Sequence, residues 1–352
     1  MKSPAGKVGA RVFEQVILRH LGARDPDVIV GPAHGVDVGI VRLCPGRVAA
    51  VTADPVFVVP AYGWQRAAWF AVHVLASDAA LSGLPLRWLA VDLNLPRDTS
   101  DEDLEALWLA WSQACDDLGV AIVAGHTGRY DGCAWPMVGG ATCAAVGADD
   151  AYVTPAMAQV GDLLVVTKGA AIEATALFAA TFPDAIAEAV GHAAWAAADE
   201  LFEAMTVVPE ARVAAEFGLR DAGVTAMHDA TEGGVLGGLA ELAGASGHGL
   251  RVVAEDIPVR AEVRAVCAAV GIDPYAAISE GTLIAAVRPA HAEGYGAALQ
   301  AEGIDAAIVG EVVPARHGAV LVRAGRDEVL QHPGVDPFWS AFDRWAQAHG
   351  PS

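Results

Sequence analysis

Hydrophobic and polar positions alternate along the first half of the chain in short runs that change period. Val38 to Leu43 and Arg47 to Ala53 are rich in branched side chains and flank Pro45-Gly46, so they predict a hairpin closed by that turn dipeptide. Trp64 to Leu81 spaces its apolar residues helically and stops at Gly83, with Pro85 beyond to prevent continuation. Leu86 to Leu93 reads as the next strand. Ser100, with Asp103 three positions on, predicts a capped helix running through Leu118 and closed by Gly119. Strands at Val120 to Ala124 and near Met137 to Val146 complete an α+β pattern with the order of a split βαβ arrangement.

Asp149-Asp150 and Thr154-Pro155 break this pattern, and Asp162 to Thr167 starts a fresh apolar strand. A boundary near residue 157 follows, giving domains 1–157 and 158–352. The second half predicts strands at Val224 to Met227, Leu250 to Ala254, Thr282 to Val287 and Ala306 to Val312, with alanine-rich helices between them, an α/β domain. At the N-terminus Arg11, Glu14, Gln15 and Arg19 interleave with Val12, Phe13, Val16, Ile17 and Leu18, which predicts an amphipathic helix rather than a signal peptide. The longest apolar stretch, Ala67 to Ala76, contains His73 and stops at Ser77-Asp78, short of the roughly 20 residues a span needs. No membrane span is expected, and the chain is expected in the cytoplasm.

Composition sharpens the picture. With 352 residues, 54% of them hydrophobic, the chain has material for two ordinary cores. Lys and Arg number 22 against 43 Asp and Glu, a net charge of −21, and lysine occurs only at Lys2, Lys7 and Lys168. No basic stripe exists to neutralise a nucleic acid backbone. An acidic surface also repels polyphosphate, so a nucleotide site here has to recruit divalent cations. The five cysteines are odd in number and form no C-x-x-C pair, which suits a reducing compartment; all five read as small core residues.

Three aspartates stand at the edges of apolar runs beside small residues: Asp37 in Gly35-Val36-Asp37, Asp54 in Thr52-Ala53-Asp54-Pro55, and Asp78 in Ser77-Asp78-Ala79. Magnesium is a hard ion that takes carboxylate and phosphate oxygens together, and small neighbours let a polyphosphate approach the backbone. Each aspartate alone reads equally as a turn or cap residue. Two glycine-rich stretches join them. Val123-Ala124-Gly125-His126-Thr127-Gly128 reads as a strand leaving into a loop. His228-Asp229-Ala230-Thr231-Glu232-Gly233-Gly234 precedes a helix whose exposed N–H groups suit an anion.

Read in order, these segments resemble the aminoimidazole ribonucleotide synthetase (PurM)-like superfamily, which also includes thiamine-monophosphate kinase, selenophosphate synthetase and the hydrogenase-maturation protein HypE. Gly35-Val36-Asp37-Val38-Gly39-Ile40-Val41 is similar to the family's Gly-Asp-Asp-Ala-Ala-Val-Ile element, and Thr52-Ala53-Asp54 to its second acidic strand. Ala71 to Gly83 is similar to its aspartate-bearing helix. Gly161 to Gly169, Asp229 to Gly234 and Ser279-Glu280-Gly281-Thr282-Leu283 follow in the family's order.

The resemblance implies a PurM-like two-domain architecture: an N-terminal domain that binds ATP and Mg2+ and forms a β-barrel shared across a homodimer, and a C-terminal α/β domain. It implies Asp37, Asp54 and Asp78 as metal ligands, and Gly125, His126, Thr127, Asp229, Thr231, Gly233 and Gly234 around the nucleotide. His73 and Glu280 would move protons, as in the HypE branch; without the resemblance they read as a helix-face histidine and a surface cap. Val36 and His126 replace aspartates of the family pattern, and Gly128, with Arg129 adjacent, replaces a lysine of the HypE branch. The chain as given ends Ala348-His349-Gly350-Pro351-Ser352 without that branch's terminal cysteine, so dehydration of a carbamoyl group on its own tail is not expected. The expected activity is ATP- and Mg2+-dependent phosphorylation of an oxygen on a small-molecule substrate. The alternative is a catalytically reduced dimeric homologue that serves a maturation or assembly partner protein.

Overall fold

The structure is a computed structural model that describes residues 12–350. Its chain divides into an N-terminal unit, Asp27–Gly31 with Asp37–Tyr152, and a C-terminal unit that begins at Val153 and takes in Pro32–Val36 and the described residues up to Pro26.

The N-terminal unit runs β1 (Val28–Val30), β2 (Gly39–Cys44), β3 (Arg47–Phe57), α1 (Trp64–Ala80), β4 (Leu86–Pro96), α2 (Asp101–Asp117), β5 (Ala121–Tyr130) and β6 (Met137–Ala148). Its sheet has the order β1-β2-β3-β6-β4-β5. The β2–β3 hairpin forms at Pro45-Gly46. β6 inserts antiparallel between β3 and β4, so β3–α1–β4 is a split βαβ unit, and β4–α2–β5 adds a parallel neighbour. Strand alternation turns Leu89, Val91, Leu93 and Leu95 of β4 and Ala141, Cys143 and Ala145 of β6 toward the helices, where Ala67, Ala71, Leu75, Leu107 and Trp111 bury them. The alanines let α1 lie close on the sheet. Ser100 caps α2 by accepting the Asp103 N–H at 3.0 Å, while the Trp64 indole donates to the Asp103 carboxylate at 3.2 Å and ties the two helix starts together. β1 and β5 are edges, so this sheet does not close on itself within the chain.

The C-terminal unit contains β7 (Leu163–Thr167), α3 (Ile172–Thr181), α4 (Pro183–Val190), α5 (His192–Asp199), α6 (Val208–Phe217), β8 (Val224–Asp229), α7 (Gly234–Ser246), β9 (Gly249–Val253), α8 (Ala261–Val270), β10 (Leu283–Val287), α9 (Ala292–Ala301), β11 (Ala306–Val313), β12 (Ala319–Arg323), β13 (Arg326–Val329) and α10 (Pro337–His349). The sheet order is β13-β12-β9-β11-β7-β10-β8, antiparallel except between β12 and β9. β8 and β10 are buried along their whole length, and Leu239 and Leu242 of α7 pack with Leu164, Val166 and Ile284 over one face. α10 closes the chain by setting Phe338, Phe342 and Trp345 against Phe178 and Phe182 of α3, with ring centroids 5.2–6.1 Å apart.

Several expectations change. Phe13–Ile17 is a single π-helical turn with no buried residue rather than an amphipathic α-helix on a core, and Arg11 lies outside the described residues. β3 does not stop at Ala53 but runs through Asp54-Pro55 to Phe57, because β6 pairs with it as far as Met137. Likewise β5 continues through Gly125 to Tyr130, so the first glycine-rich stretch is ladder rather than loop: it pairs in parallel with Val91 to Pro96. Cys115, Cys143 and Cys267 are buried, but Cys44 is exposed and Cys133 half-buried, since Cys44 ends a hairpin strand where the sheet has no cover. Among the described residues, no helix is long and apolar enough to cross a membrane.

Candidate functional site

In the N-terminal unit the helices cover one face of the sheet and leave the other open. On that open face lies a trough of about 590 Å3 lined by Ala53, Asp54 and Pro55 of β3, Ala90 to Asp92 of β4, Ala124 to His126 of β5 and Gly140 to Thr142 of β6. Its floor is small side chains, and the polar side chains that alternation turns into it are those of Asp92, His126 and Thr142; Asp54 borders it through its backbone only, because it shares the helix-facing parity of Thr52 and stands opposite Ala141. Gly125 cannot carry a side chain here: a Cβ would sit 2.7 Å from the Val91 carbonyl oxygen of the neighbouring strand. Asp92 stands directly opposite His126 across the β4–β5 ladder. Each is fixed by a neighbour, Asp92 accepting from the Asn94 amide at 2.8 Å and His126 Nε2 lying 2.6 Å from the Tyr130 hydroxyl.

Asp78 sits in the last turns of α1, where the Thr52 hydroxyl of β3 donates to it at 3.0 Å. Asp54 follows Thr52 by two residues on the same strand. Asp37 is half-buried just before β2. Among the described residues of this unit, Asp37, Asp54 and Asp78 do not form a ready-made triad with ligand atoms within 4.8 Å of one another. Thr127 does not line the trough. The alternation that points His126 into it turns Thr127 to the side of Leu93. His73 is buried on α1 with its ring stacked on Trp69 at 4.1 Å, a packed position rather than a free helix face.

In the C-terminal unit Asp229 ends β8, fully buried and opposite Leu283 of β10. Beside it, His228 lies 3.5 Å from the Asp229 carboxylate and 3.2 Å from that of Glu241. The segment then turns through Thr231, whose carbonyl accepts the Gly234 N–H at 2.9 Å, into α7. Gly233 and Gly234 are in the left-handed region (φ 85° and 60°). The N–H groups expected to be open to an anion are buried, and that of Gly233 donates at 2.6 Å to the Asp336 carboxylate, a residue 103 positions away that sequence could not pair with it.

Glu280 is buried rather than a surface cap, because its turn is bolted to the start of α3. Ser279 Oγ accepts the Ile172 N–H at 3.0 Å, Thr282 Oγ1 donates to the Gly169 carbonyl at 2.6 Å, and the Glu280 N–H donates to Glu173 at 3.0 Å. Glu173 escaped the sequence reading. Its signal is that it is the single charged residue in the otherwise apolar run Gly169 to Phe182. Burial pushes its carboxyl up to about 8 despite the Glu280 N–H, with Asp336, Asp229 and Glu232 adding repulsion. Burial likewise raises Asp336 to about 6 against the two N–H groups it accepts.

Two family models match the chain in order: AIR synthase related protein, N-terminal domain, over residues 35–163, and AIR synthase related protein, C-terminal domain, over residues 159–323. A carbamoyl dehydratase HypE of Azotobacter vinelandii is 29% identical over 283 residues, covering 78% of each chain. The crystal structure of E. coli HypE, a hydrogenase maturation protein, superposes with a TM-score of 0.67 at 26% identity, covering 89% of this chain and 94% of that one. A hydrogenase maturation protein HypE solved in complex with ATP gives 0.66 at 22% identity, covering 95% and 97%, and so shares the fold. Two matched domains in the family's order, on a fold shared almost end to end, establish that this chain belongs to the AIR synthase-related proteins.

Proposed function

We propose that the chain is an ATP- and Mg2+-dependent enzyme that phosphorylates an oxygen of a small-molecule substrate. The observation that carries this reading is the carboxylate pair on the helix side of the N-terminal sheet, Asp78 held by the Thr52 hydroxyl at 3.0 Å and Asp54 two residues on along the same face of β3. The oxygen-rich donor set fits a hard divalent ion with phosphate oxygens. Asp54 and Asp78, with Asp37, would hold the metal. The ion would neutralise charge on the transferring phosphoryl group. In this unit Thr127, turned to the same side of the sheet as Asp54, would flank the nucleotide with the backbone of Gly125 and His126; Asp229, Thr231, Gly233 and Gly234 are proposed as nucleotide contacts within the C-terminal unit. His73 in this unit and Glu280 in the C-terminal unit are proposed as the proton-handling residues. Glu173, uncharged at neutral pH, supplies Glu280 with a neighbour that adds no negative charge. The chain's −21 net charge makes a cation obligatory for any polyphosphate.

Calorimetric titration of the purified protein with ATP and Mg2+ tests the reading. Binding that Asp54→Asn or Asp78→Asn weakens by at least about tenfold is expected. A folded protein that takes up no nucleotide would sink it and favour the reduced homologue that serves a partner protein.

A further inference from the structure

The glycine-rich loop before α7 is covered by the chain's own tail. Residues 324–350 lie beyond the stretch matched by the family models, and the part leading into α10 is seated directly on that loop. Asp336 accepts the Gly233 N–H at 2.6 Å through one carboxylate oxygen and the Phe338 N–H at 2.8 Å through the other, so one side chain caps α10 and grips the loop. His332 Nδ1 accepts the Gly334 N–H at 2.9 Å, which places its proton on Nε2, 3.2 Å from the Glu232 carbonyl that it therefore faces as a donor. The fit is close: a Cβ on Gly233 would lie 2.8 Å from His332 Nε2 and 3.2 Å from Pro333. α10 itself is anchored elsewhere, by its aromatic face on Phe178 and Phe182. The segment His332–Asp336 can thus lift while the helix stays docked.

We propose that His332–Asp336 is a proton-sensitive strap over the glycine-rich loop, with the Asp336 carboxylate as its clasp. The titratable groups that face the clasp are Glu232 from the loop, Glu173 from α3, which burial keeps uncharged at neutral pH, with Asp229 beside Glu173 at the end of β8, and His332 from the strap itself. The ionised clasp is held chiefly against burial, with Glu232 adding repulsion and His332 offsetting part of it. The closed strap binds a proton at Asp336 more tightly, with a value of about 6, than a hydrated aspartate does at 3.8. By linkage, acid favours the closed strap and rising pH favours release. Between pH 5 and pH 8 those two values make the opening equilibrium grow about tenfold. Release uncovers the Gly233 N–H. Its functional meaning, access of a phosphate group to the loop, rests on the nucleotide-binding reading above; the opening itself does not.

Hydrogen exchange of the full chain without nucleotide, followed by mass spectrometry on peptides spanning 229–236 and 330–337 and corrected for intrinsic rates, measures the strap. The wild-type opening constant is expected to rise about tenfold from pH 5 to pH 8, and Asp336→Asn to lose that rise; the difference between the two separates Asp336 from any titration of His332. Glu232→Gln keeps the clasp but removes a repelling neighbour, so it should reduce opening at pH 8. It serves as the second variant if Asp336→Asn fails to fold. Equal pH dependence in wild type and Asp336→Asn, or unchanged opening in Glu232→Gln, overturns the strap. Because no nucleotide is present, failure to bind ATP would leave this result standing, and failure of the strap would leave the nucleotide-binding reading of the N-terminal unit untouched.

Discussion

Glu173 shows how much a single buried carboxyl can bias a domain. Its folded value of about 8 lies above the ordinary 4.5, so its ionised form is the costly one. The unit has the full benefit of this group below pH 4.5 and loses it as the pH climbs through 8. Glu173→Gln should therefore flatten the stability profile, matching wild type near pH 5 and exceeding it by on the order of a few kcal/mol at pH 8.5, read by chemical denaturation. A mutant profile parallel to wild type would mean the carboxyl is hydrated. Lys168 is the opposite case. Its ammonium lies 2.6 Å from the fully buried Glu210 and also donates to the carbonyls of Ala204 and Thr206, from a backbone held at φ 55°. Lys168→Met should cost roughly 3–5 kcal/mol by stranding the Glu210 charge, and Lys168→Met with Glu210→Leu should recover much of it. An additive double mutant would show the pair to be uncoupled.

Elements here are built close, with glycine marking the closest approaches. Gly139 in β6 has φ 141°, and a Cβ there would fall on the Asp92 carbonyl of β4, the strand that carries one wall of the trough. Gly244 in α7 has open space around it and an ordinary helical backbone. Gly139→Ala is expected to disrupt the sheet and yield little folded protein, whereas Gly244→Ala should stabilise by about 0.5–1 kcal/mol in thermal denaturation. Equal tolerance of both would contradict the packing of β6 on β4. The same closeness explains the misread glycine-rich stretch. Gly125 weakens a strand locally, yet the parallel ladder to β4 leaves no room for anything larger and recovers the hydrogen bonds that a loop would have given to water.

For the whole molecule, the open face of the N-terminal sheet is the main question. Trp88 lies on that face, 38% exposed, above a floor of small residues. The shared barrel that the family resemblance implies would cover this face, trough included, with the same sheet of a second copy. Sedimentation of the 36.1 kDa chain at low protein concentration is expected to give twice that mass, and Trp88→Glu to give the single mass. A wild-type monomer would remove the shared barrel from the proposal. The pattern of apolar positions by itself determined the hairpin at Pro45-Gly46, the capped α2, the split βαβ order and the central strands of the second unit, because strand and helix periods are local properties of side chains. It did not reveal β12, β13 or α10, nor where β3 and β5 end, since strand ends depend on what a distant partner can pair. The order of motifs led to the family. Only tertiary structure decided the environment of each candidate: Asp54 turned with Thr52 to the helix side of the sheet, Thr127 turned away from His126, Glu280 buried against Glu173, and the Gly233 N–H already held by Asp336. Burial and charge contact are set by residues far apart in the chain, and a linear pattern carries no term for them.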